Sequence, residues 1–393
     1  MDDEPIYIDY TLDLTNNSNQ IKPYETKSAK YLFLHQNAES INENPTYHSV
    51  ILCPETNNVL CFSPPKSIAL EKFKEKVPQL NDSILVNEII EGTMINLFYD
   101  PRIQCWEIAT KNAVGGHYWF YRNQYTINSK YQDDKQPTFR RMFLEVFSAG
   151  EDQDINDLPF LEYLSKDYCY SFVLQHPANH IVKTIIYPVL YLVGVYHLLG
   201  NRVVCMSPTI FEEWDCFLNI RGLIEFPKKY DEETYEELQK YCTLDSSFDF
   251  MGLMLYNLKT GETSIMENES YKVARELRGN HPNLHYQYLC LRNSGKVNDF
   301  LKYFPTYKNI FYQFYKQYND YVTQIHQCYI SYYIRKSGVV ISKKYFPLIY
   351  KIHHELFLPC LKDEKMIVRR SVINEFLKKI EPSVMIYYLN YSE

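Results

Sequence analysis

No C-x-x-C pair occurs in this chain, although it holds ten cysteines, at 53, 61, 105, 169, 205, 216, 242, 290, 328 and 360. Without closely spaced thiols neither a zinc site nor a redox dithiol is indicated, and dispersed cysteines suit a reducing compartment. Long hydrophobic runs are missing as well. The longest, Ile185 to Gly200, is interrupted by Pro188 and His197 and is too short to span a bilayer; a buried strand pair fits it better. The acidic start, MDDEPIYIDY, lacks the basic flank and apolar stretch of a signal peptide. No internal repeat is visible. These absences predict a soluble intracellular chain with no membrane segment.

Glycine is scarce, at 12 residues, whereas tyrosine reaches 37. With many Asn, Ile and Lys beside it, the tyrosine fits the coding bias of an AT-rich genome; a stacking surface for bases is the alternative. Apolar content of 46% with 23% charged residues is ordinary for a folded protein, and 393 residues favour two domains over one. Net charge is −7 but uneven: from Lys296 onward 15 Lys/Arg face 8 Asp/Glu, giving +7, so the first 295 residues carry −14. A basic tail beside an acidic body is the asymmetry expected of a tail that touches a polyanion; a solvated helical surface is the competing reading.

Periodicity divides the chain near residue 275. The polar stretches TNNSNQ and QNAESINENPT suggest loops around short strands within residues 1 to 45. Apolar alternation from Tyr47 to Phe62 predicts a β-hairpin turning at Thr56-Asn57-Asn58. A short helix is expected over Ile68 to Val77, then strands at Ile84 to Asp100 and Gln104 to Thr110 joined at Asp100-Pro101. Phe139 to Phe147 has helical spacing, whereas Cys169 to Leu174 and Lys183 to Leu199 have the β-branched and aromatic content of buried strands. Phe250 to Tyr256 and Thr263 to Met266 predict a further strand pair. Beyond Tyr271, helical periods dominate at 286 to 303, 307 to 335, 345 to 362 and 364 to 380, punctuated by Pro305, Gly338 and Pro382. The expected organisation is an α+β body, 1 to 275, followed by a basic all-α domain, 276 to 393.

Several segments carry a resemblance when taken in order: SPPKSIALEKF at 63 to 73, EGTMINLFYD at 91 to 100, WEIATKNAVGG at 106 to 116, PTFRRMFLEVF at 137 to 147, YSFVLQHPANHIV at 170 to 182, MGLMLYNLKTGETSIMENESY at 251 to 271 and ELRGNHPNLHYQYLCLR at 276 to 292. Together they resemble RNA ligases of the bacteriophage tRNA-repair type, and particularly their relatives in large DNA viruses. These belong to the covalent nucleotidyltransferase superfamily. The resemblance implies an ATP-grasp-like core of antiparallel sheets with a C-terminal helical domain associated with tRNA-like substrates. It also implies ATP and Mg²⁺ as cofactors of an active enzyme, and a place in the viral factory of the host cytoplasm or in the virion. Other viral proteins are implied partners if the scaffold has become a structural subunit.

Measured against that family, the chemical parts are depleted. The lysine that would attack the α-phosphate, three residues before Gly92, is Ile89, which has no lone pair to offer. The acid positions of the two later core motifs hold Val173 and Met251, neither able to coordinate Mg²⁺. The final motif should supply bases to a triphosphate, yet Ser264, Ile265, Met266 and Glu267 include none. A degenerate site with weak or absent ATP-dependent ligation is therefore expected.

Candidate residues remain. Lys66, in Pro64-Pro65-Lys66-Ser67, is either a relocated nucleophile or a surface lysine at a helix start. The resemblance implies nucleotide contacts from Glu91, Thr93, Thr110 and Lys111; Lys111 would supply a point charge to phosphate or lie in a solvated turn. Gln175 and His176 either hydrogen-bond within the fold or contact a base or ribose edge. In the tail, Arg275, Arg278, Arg292, Lys343 and Lys344 are candidate RNA contacts, with Tyr286, Tyr288, Tyr307, Tyr312 and Tyr315 as stacking groups or core. Arg369, Arg370, Lys378 and Lys379 form further basic clusters. His353-His354-Glu355 is rejected as a metal site because consecutive helical residues point in different directions.

Overall fold

Strand residues that alternate between two faces need two partners, and the segment Tyr168–Gln175 shows how the body satisfies both. Tyr170, Phe172 and Leu174 join one buried cluster, whereas Cys169 joins another on the opposite face. A computed structural model describes residues 8–11, 21–35, 47, 49–118, 137–150, 153–218, 220, 222–279, 281, 283–361 and 367–391. The acidic start and the polar stretches at 15–20 and 36–46 lie outside the described residues. The described residues divide into two compact units, those up to Glu276 in the first and those from Leu277 in the second.

In the first unit, β1 (Ile8–Thr11), β2 (Ile21–Glu25), β3 (Lys30–His35), β4 (Ser49–Leu52) and β5 (Val59–Phe62) lead to helix α1 (Leu70–Lys76). The β4–β5 hairpin turns at Thr56-Asn57-Asn58, where Asn57 takes φ of +58°. Strands β6 (Ile84–Glu88), β7 (Thr93–Asp100) and β8 (Cys105–Ala109) follow, then α2 (Phe139–Val146), capped by the Thr138 side chain. Next come β9 (Tyr168–Gln175), β10 (Val189–Leu199), β11 (Arg202–Cys205), two short helices α3 (Pro208–Phe211) and α4 (Asp215–Leu218), β12 (Ile224–Glu225), β13 (Lys229–Tyr230), α5 (Tyr235–Lys240), β14 (Gly252–Asn257) and β15 (Thr263–Glu267).

Among the described residues these strands make three sheets. The largest runs β1-β11-β10-β9-β7-β8 with β12 pairing β10; a second runs β13-β6-β14-β15; the third is the meander β2-β3-β4-β5. One face of the large sheet packs on α2 and the segment around Phe160, Phe211 and Phe217. Its other face packs on the meander through Phe98, Cys169, Tyr196 and Val203. The second sheet has its own core against α1 and α5, built on Phe73, Leu238, Leu253 and Leu255.

The long apolar run at Ile84 to Asp100 is thus two strands in two different sheets. Residues 89–92 carry the chain from one to the other. Gly92 belongs at this crossing because a Cβ there would lie 2.5 Å from the Leu174 carbonyl oxygen of β9. Gly252 performs a similar service at the head of β14: its φ is +140°, and a Cβ would lie 2.4 Å from the Met266 carbonyl oxygen.

Helix α6 (Glu269–Arg278) contains the division between the units. The second unit comprises α7 (Leu284–Asn293), α8 (Val297–Tyr303), the 22-residue α9 (Lys308–Tyr329), α10 (Phe346–Lys351), α11 (Arg370–Lys378) and α12 (Pro382–Asn390). The expected helix at 286 to 303 breaks at Gly295, whose φ is +74°. Pro382, expected as a stop, instead begins α12 at its first turn, where the missing N–H costs nothing, and the Glu381 carboxylate caps it. Both α9 and α10 continue into π-helical turns, at Ile330–Ile334 and Ile352–Leu361. No described helix is long and apolar enough to cross a membrane.

Candidate functional site

A cavity of about 230 Å³ lies between the large sheet and the second sheet. Its walls come from β6 and the crossing (Asn87, Glu88, Ile89, Ile90), from Met94 on β7 and Val173 on β9, and from Met254 and Tyr256 on β14. Two of the depleted positions, Ile89 and Val173, line it; Met251 is not among the lining residues. Among the described residues the walls include no lysine, arginine or histidine; their acidic residues are Glu212 and Glu88, the latter paired with Leu253 and so sharing the α1-facing side of β6 rather than that of Asn87 and Met254. Glu212 is paired with Lys229 at 2.5 Å, whereas no ion pair involves Glu88 among the described residues. An apolar chamber edged by acid does not fit a nucleoside triphosphate with Mg²⁺, because nothing on its walls offsets the phosphate charge.

Four of the predicted nucleotide contacts gather at one edge of this region, but they bind protein. The Glu91 side chain, 5% exposed, accepts backbone N–H groups of Ile181 (2.7 Å), Val182 (3.0 Å) and Lys183 (3.1 Å). Burial and then the Glu91 charge push the Tyr271 phenol well up, and its hydroxyl also bonds Glu91. The Gln175 amide donates to the Glu91 carbonyl at 2.9 Å, and the Asn179 amide donates to the Thr93 hydroxyl at 2.7 Å. His176 is fully buried; its Nδ1 accepts from the Ala178 N–H at 3.0 Å, which leaves Nε2 to donate to Glu145 at 3.2 Å. This cluster staples residues 175–183 to the crossing between the two sheets. A carboxylate engaged by three amides is not available to a nucleotide.

Lys66 sits on a strap beside the cavity. At one end Ser63 accepts from the Asn96 amide at 2.7 Å, and Asn96 in turn accepts from the Ser171 hydroxyl at 2.6 Å. At the other, Ser67 bonds the Thr263 hydroxyl at 3.0 Å and Ile68 pairs backbone with Thr263 and Ser264. Pro64 and Pro65 line the cavity; Lys66 is not among its lining residues. Its charge is instead felt by Lys111, whose amine is lowered from its ordinary value by partial burial and then by Lys66. Thr110, which precedes Lys111, is 7% exposed and bonds the Tyr118 hydroxyl. The structure therefore places two lysines of different predicted roles near one another, and no ion pair with an acid involves either among the described residues.

The candidate RNA contacts of the tail divide sharply by exposure. Arg278 is 2% exposed, with its guanidinium 5.8 Å from the Tyr307 ring centre. Arg292 lies 3.7 Å from the Tyr318 ring centre and donates to Asn374 of α11. Lys344 donates to the Leu389 carbonyl, near the end of α12, at 3.1 Å. These three serve contacts within the helical unit, whose core mixes aliphatic residues such as Leu284, Ile325 and Ile373 with buried tyrosines. Lys343 is exposed and Arg275, in the first unit, is half-buried. Tyr288 and Tyr307 are buried, whereas Tyr312 and Tyr315 are exposed at 66% and 55% and stack on each other. His353 stacks on Tyr333 and Phe357, and no cluster that could hold a metal occurs among the described residues.

Sequence reasoning did not anticipate Asn87, Glu88, Glu212 or Tyr256 as cavity residues. The one available signal was Asn87 itself, an amide directly after the apolar run Ile84 to Val86. Tyr271 and Asn179, which complete the Glu91 cluster, gave none.

No protein-family model matches the chain. Over 326 residues it is 23% identical to the Immediate-early protein ICP-46 homolog of Invertebrate iridescent virus 6, covering 78% of this chain and 67% of that protein. Among solved structures, a putative ATP-dependent DNA ligase from Aquifex aeolicus overlaps 75% of this chain and 69% of its own, with TM-score 0.41 and 8% identity. An apo mutant of the Naegleria gruberi RNA ligase overlaps 68% of this chain and 97% of its own, with TM-score 0.30 and 9% identity. Likenesses at these scores carry no argument about chemistry; that must come from the site.

Proposed function

We propose that this chain is a ligase-like protein of viral type that binds RNA through phosphate contacts and has lost ATP-dependent ligation. The observation that carries this reading is the wall of the intersheet cavity, which Ile89 and Val173 line and which includes no lysine, arginine or histidine among the described residues. The missing amine cannot form a phosphoramidate, and the missing carboxylates cannot hold a divalent ion. The positive groups that remain suited to phosphate are the Lys66–Lys111 pair, with Arg275 and Lys343 as further contacts.

Incubation of the full chain with RNA at rising salt tests the binding half. Lysine–phosphate contacts release counterions, so affinity falls between about 50 and 200 mM salt; equal affinity across that range defeats the reading. Ligation through Lys66 is the alternative. In its favour stands the nearby Lys111, which supplies a second positive charge to a phosphate at the same place. Against it, Lys66 does not line the cavity in which a base and ribose would lie. A nucleotide adduct on Lys66 would establish that alternative.

A further inference from the structure

The intersheet cavity is unsuited to phosphate, yet it is not closed. About 230 Å³ persists there, whereas an apolar cavity of about 150 Å³ already holds a benzene-sized body. Unfilled space of this size forfeits contact energy on every wall. Met254 pairs with Asn87, and Tyr256 follows two residues on, so these three side chains share the face opposite Leu253 and Leu255. The large sheet supplies Met94 and Val173, paired across β7 and β9, together with Tyr10, Tyr196 and Cys205. Strand β10 bulges between Leu192 and Gly194, and a Cβ on Gly194 would lie 2.7 Å from the Tyr196 hydroxyl. Glycine there leaves that phenol its place in the wall.

Four polar groups gather in one part of this wall, and none carries charge. The Tyr256 hydroxyl and the Cys205 thiol lie 3.4 Å apart and join the two sheets. Among the described residues no hydrogen bond involves the hydroxyl of Tyr10 or of Tyr196. Burial and then Cys205 raise all three phenols, and burial pushes the thiol up to about 11, so all four are neutral at pH 7. The buried Asn87 Oδ1 has no hydrogen-bond partner among the described residues, and such an acceptor is costly unless something donates to it. Of the two acids, Glu212 is held by Lys229 and Glu88 takes the other face of β6.

We propose that this cavity binds an uncharged aliphatic alcohol of about eight carbons, its chain against Ile89, Met94, Val173 and Met254 and its hydroxyl against the phenols of Tyr10 and Tyr196. Mostly apolar walls with a few convergent polar groups favour a small ligand of the same make-up. The phenols offer donors and the Asn87 oxygen an acceptor, and a hydroxyl can meet either. A carboxylate on the same chain only accepts, and its charge would be buried with no cation on the walls. A purine fares no better, because several of its ring nitrogens would lie against methionine and isoleucine with nothing to bond. This inference does not depend on RNA binding, because neither Lys66 nor Lys111 lines the cavity.

Isothermal titration calorimetry of the full chain with octan-1-ol, octanoate and adenosine tests it. Octanoate keeps the chain but carries a charge, and adenosine replaces the chain with a polar ring system. The expected result is one octan-1-ol per chain, with octanoate and adenosine each at least tenfold weaker. Ile89→Trp, which puts a large ring into the space, should abolish octan-1-ol binding. Tyr196→Phe removes a single oxygen and should weaken octan-1-ol at least threefold; this arm survives even if Ile89→Trp fails to fold. No saturable binding of octan-1-ol up to its solubility limit overturns the proposal. So does octanoate or adenosine binding as tightly, or an octan-1-ol affinity unchanged in either folded variant. Each of these outcomes would leave the salt dependence of RNA binding untouched, so the two readings fail separately.

Discussion

The two units of this protein use polar residues in opposite ways. In the sheet unit, the polar side chains at motif positions form one buried cluster around Glu91, while the adjoining cavity is walled by apolar groups. In the helical unit, charged side chains tie elements together: Arg278 is buried, Arg292 joins α7 to α11, and Lys344, in the turn before α10, holds the end of α12. The difference follows from what each unit has for packing. The sheets supply continuous runs of Ile, Val, Leu and Phe, so their buried polar groups gather in a few small networks, the Glu91 clamp and the Ser63–Asn96–Ser171 chain among them. The helices add to their Leu and Ile core buried tyrosines such as Tyr318 and Tyr321, whose ring faces take the Arg292 guanidinium and the Lys344 ammonium. A basic residue in the helical unit is thus weak evidence for a ligand, and a polar residue in the sheet unit is weak evidence for catalysis.

The largest expected effect lies in the sheet clamp. Glu91→Ala strands three amides and the Tyr271 hydroxyl, and hydrogen bonds to a charged group contribute about 1.5–3 kcal/mol each. Chemical denaturation should show a loss of about 3 kcal/mol or more. A loss under about 1 kcal/mol would mean the cluster does not hold the sheet crossing, and would return Glu91 to the pool of ligand-binding residues.

Arg292→Ala should remove the bond to Asn374 and the contact with Tyr318, costing about 2 kcal/mol. Tyr312→Ala, on the exposed face of α9, should change stability by no more than about 0.5 kcal/mol. If the two variants reversed their order, the assignment of arginine to core and tyrosine to surface would be wrong.

Acid should separate the units further. Burial lowers the His285 imidazole from 6.5 to about 4, so the folded helical unit holds it neutral while the unfolded chain takes up a proton first. Stability is then fully present above pH 6.5 and declines as pH falls from 6.5 toward 4. Thermal melts of the wild type and His285→Phe at a series of pH values should show this decline only in the wild type. Equal pH slopes would contradict it.

The smallest effect is on binding. Replacing both Lys66 and Lys111 with alanine should flatten the slope of log affinity against log salt for single-stranded RNA by about 1.4, since each phosphate contact contributes about 0.7. An unchanged slope would move the RNA contacts elsewhere.

Much of the sheet unit was legible because strand alternation is coarse and robust: the β4–β5 hairpin, α2, β9 and the β14–β15 pair all fall where apolar spacing puts them. The run at Ile84 to Asp100 hid its break because strands in different sheets can share one apolar texture, and only the Gly92 contact with β9 reveals the crossing. Helix existence in the second unit was legible, but its faces were not. Tyrosine serves both sides of α9, with Tyr318 buried and Tyr315 exposed, so hydrophobic periodicity loses its contrast there. For the candidate site, the apolar side chains at Ile89 and Val173 could be read from residue types, and both line the cavity. The persistence of a cavity, and the orphaned Asn87 oxygen within its walls, depend on contacts between distant strands that no local pattern encodes.

The central claim is that the amine which should carry a nucleotide has gone and has not been replaced. Intact-protein mass spectrometry after incubation with ATP or GTP and either Mg²⁺ or Mn²⁺ addresses it directly. The account predicts an unmodified mass under every condition, whereas a nucleotidyl adduct mapped to Lys66 or any other lysine would contradict it.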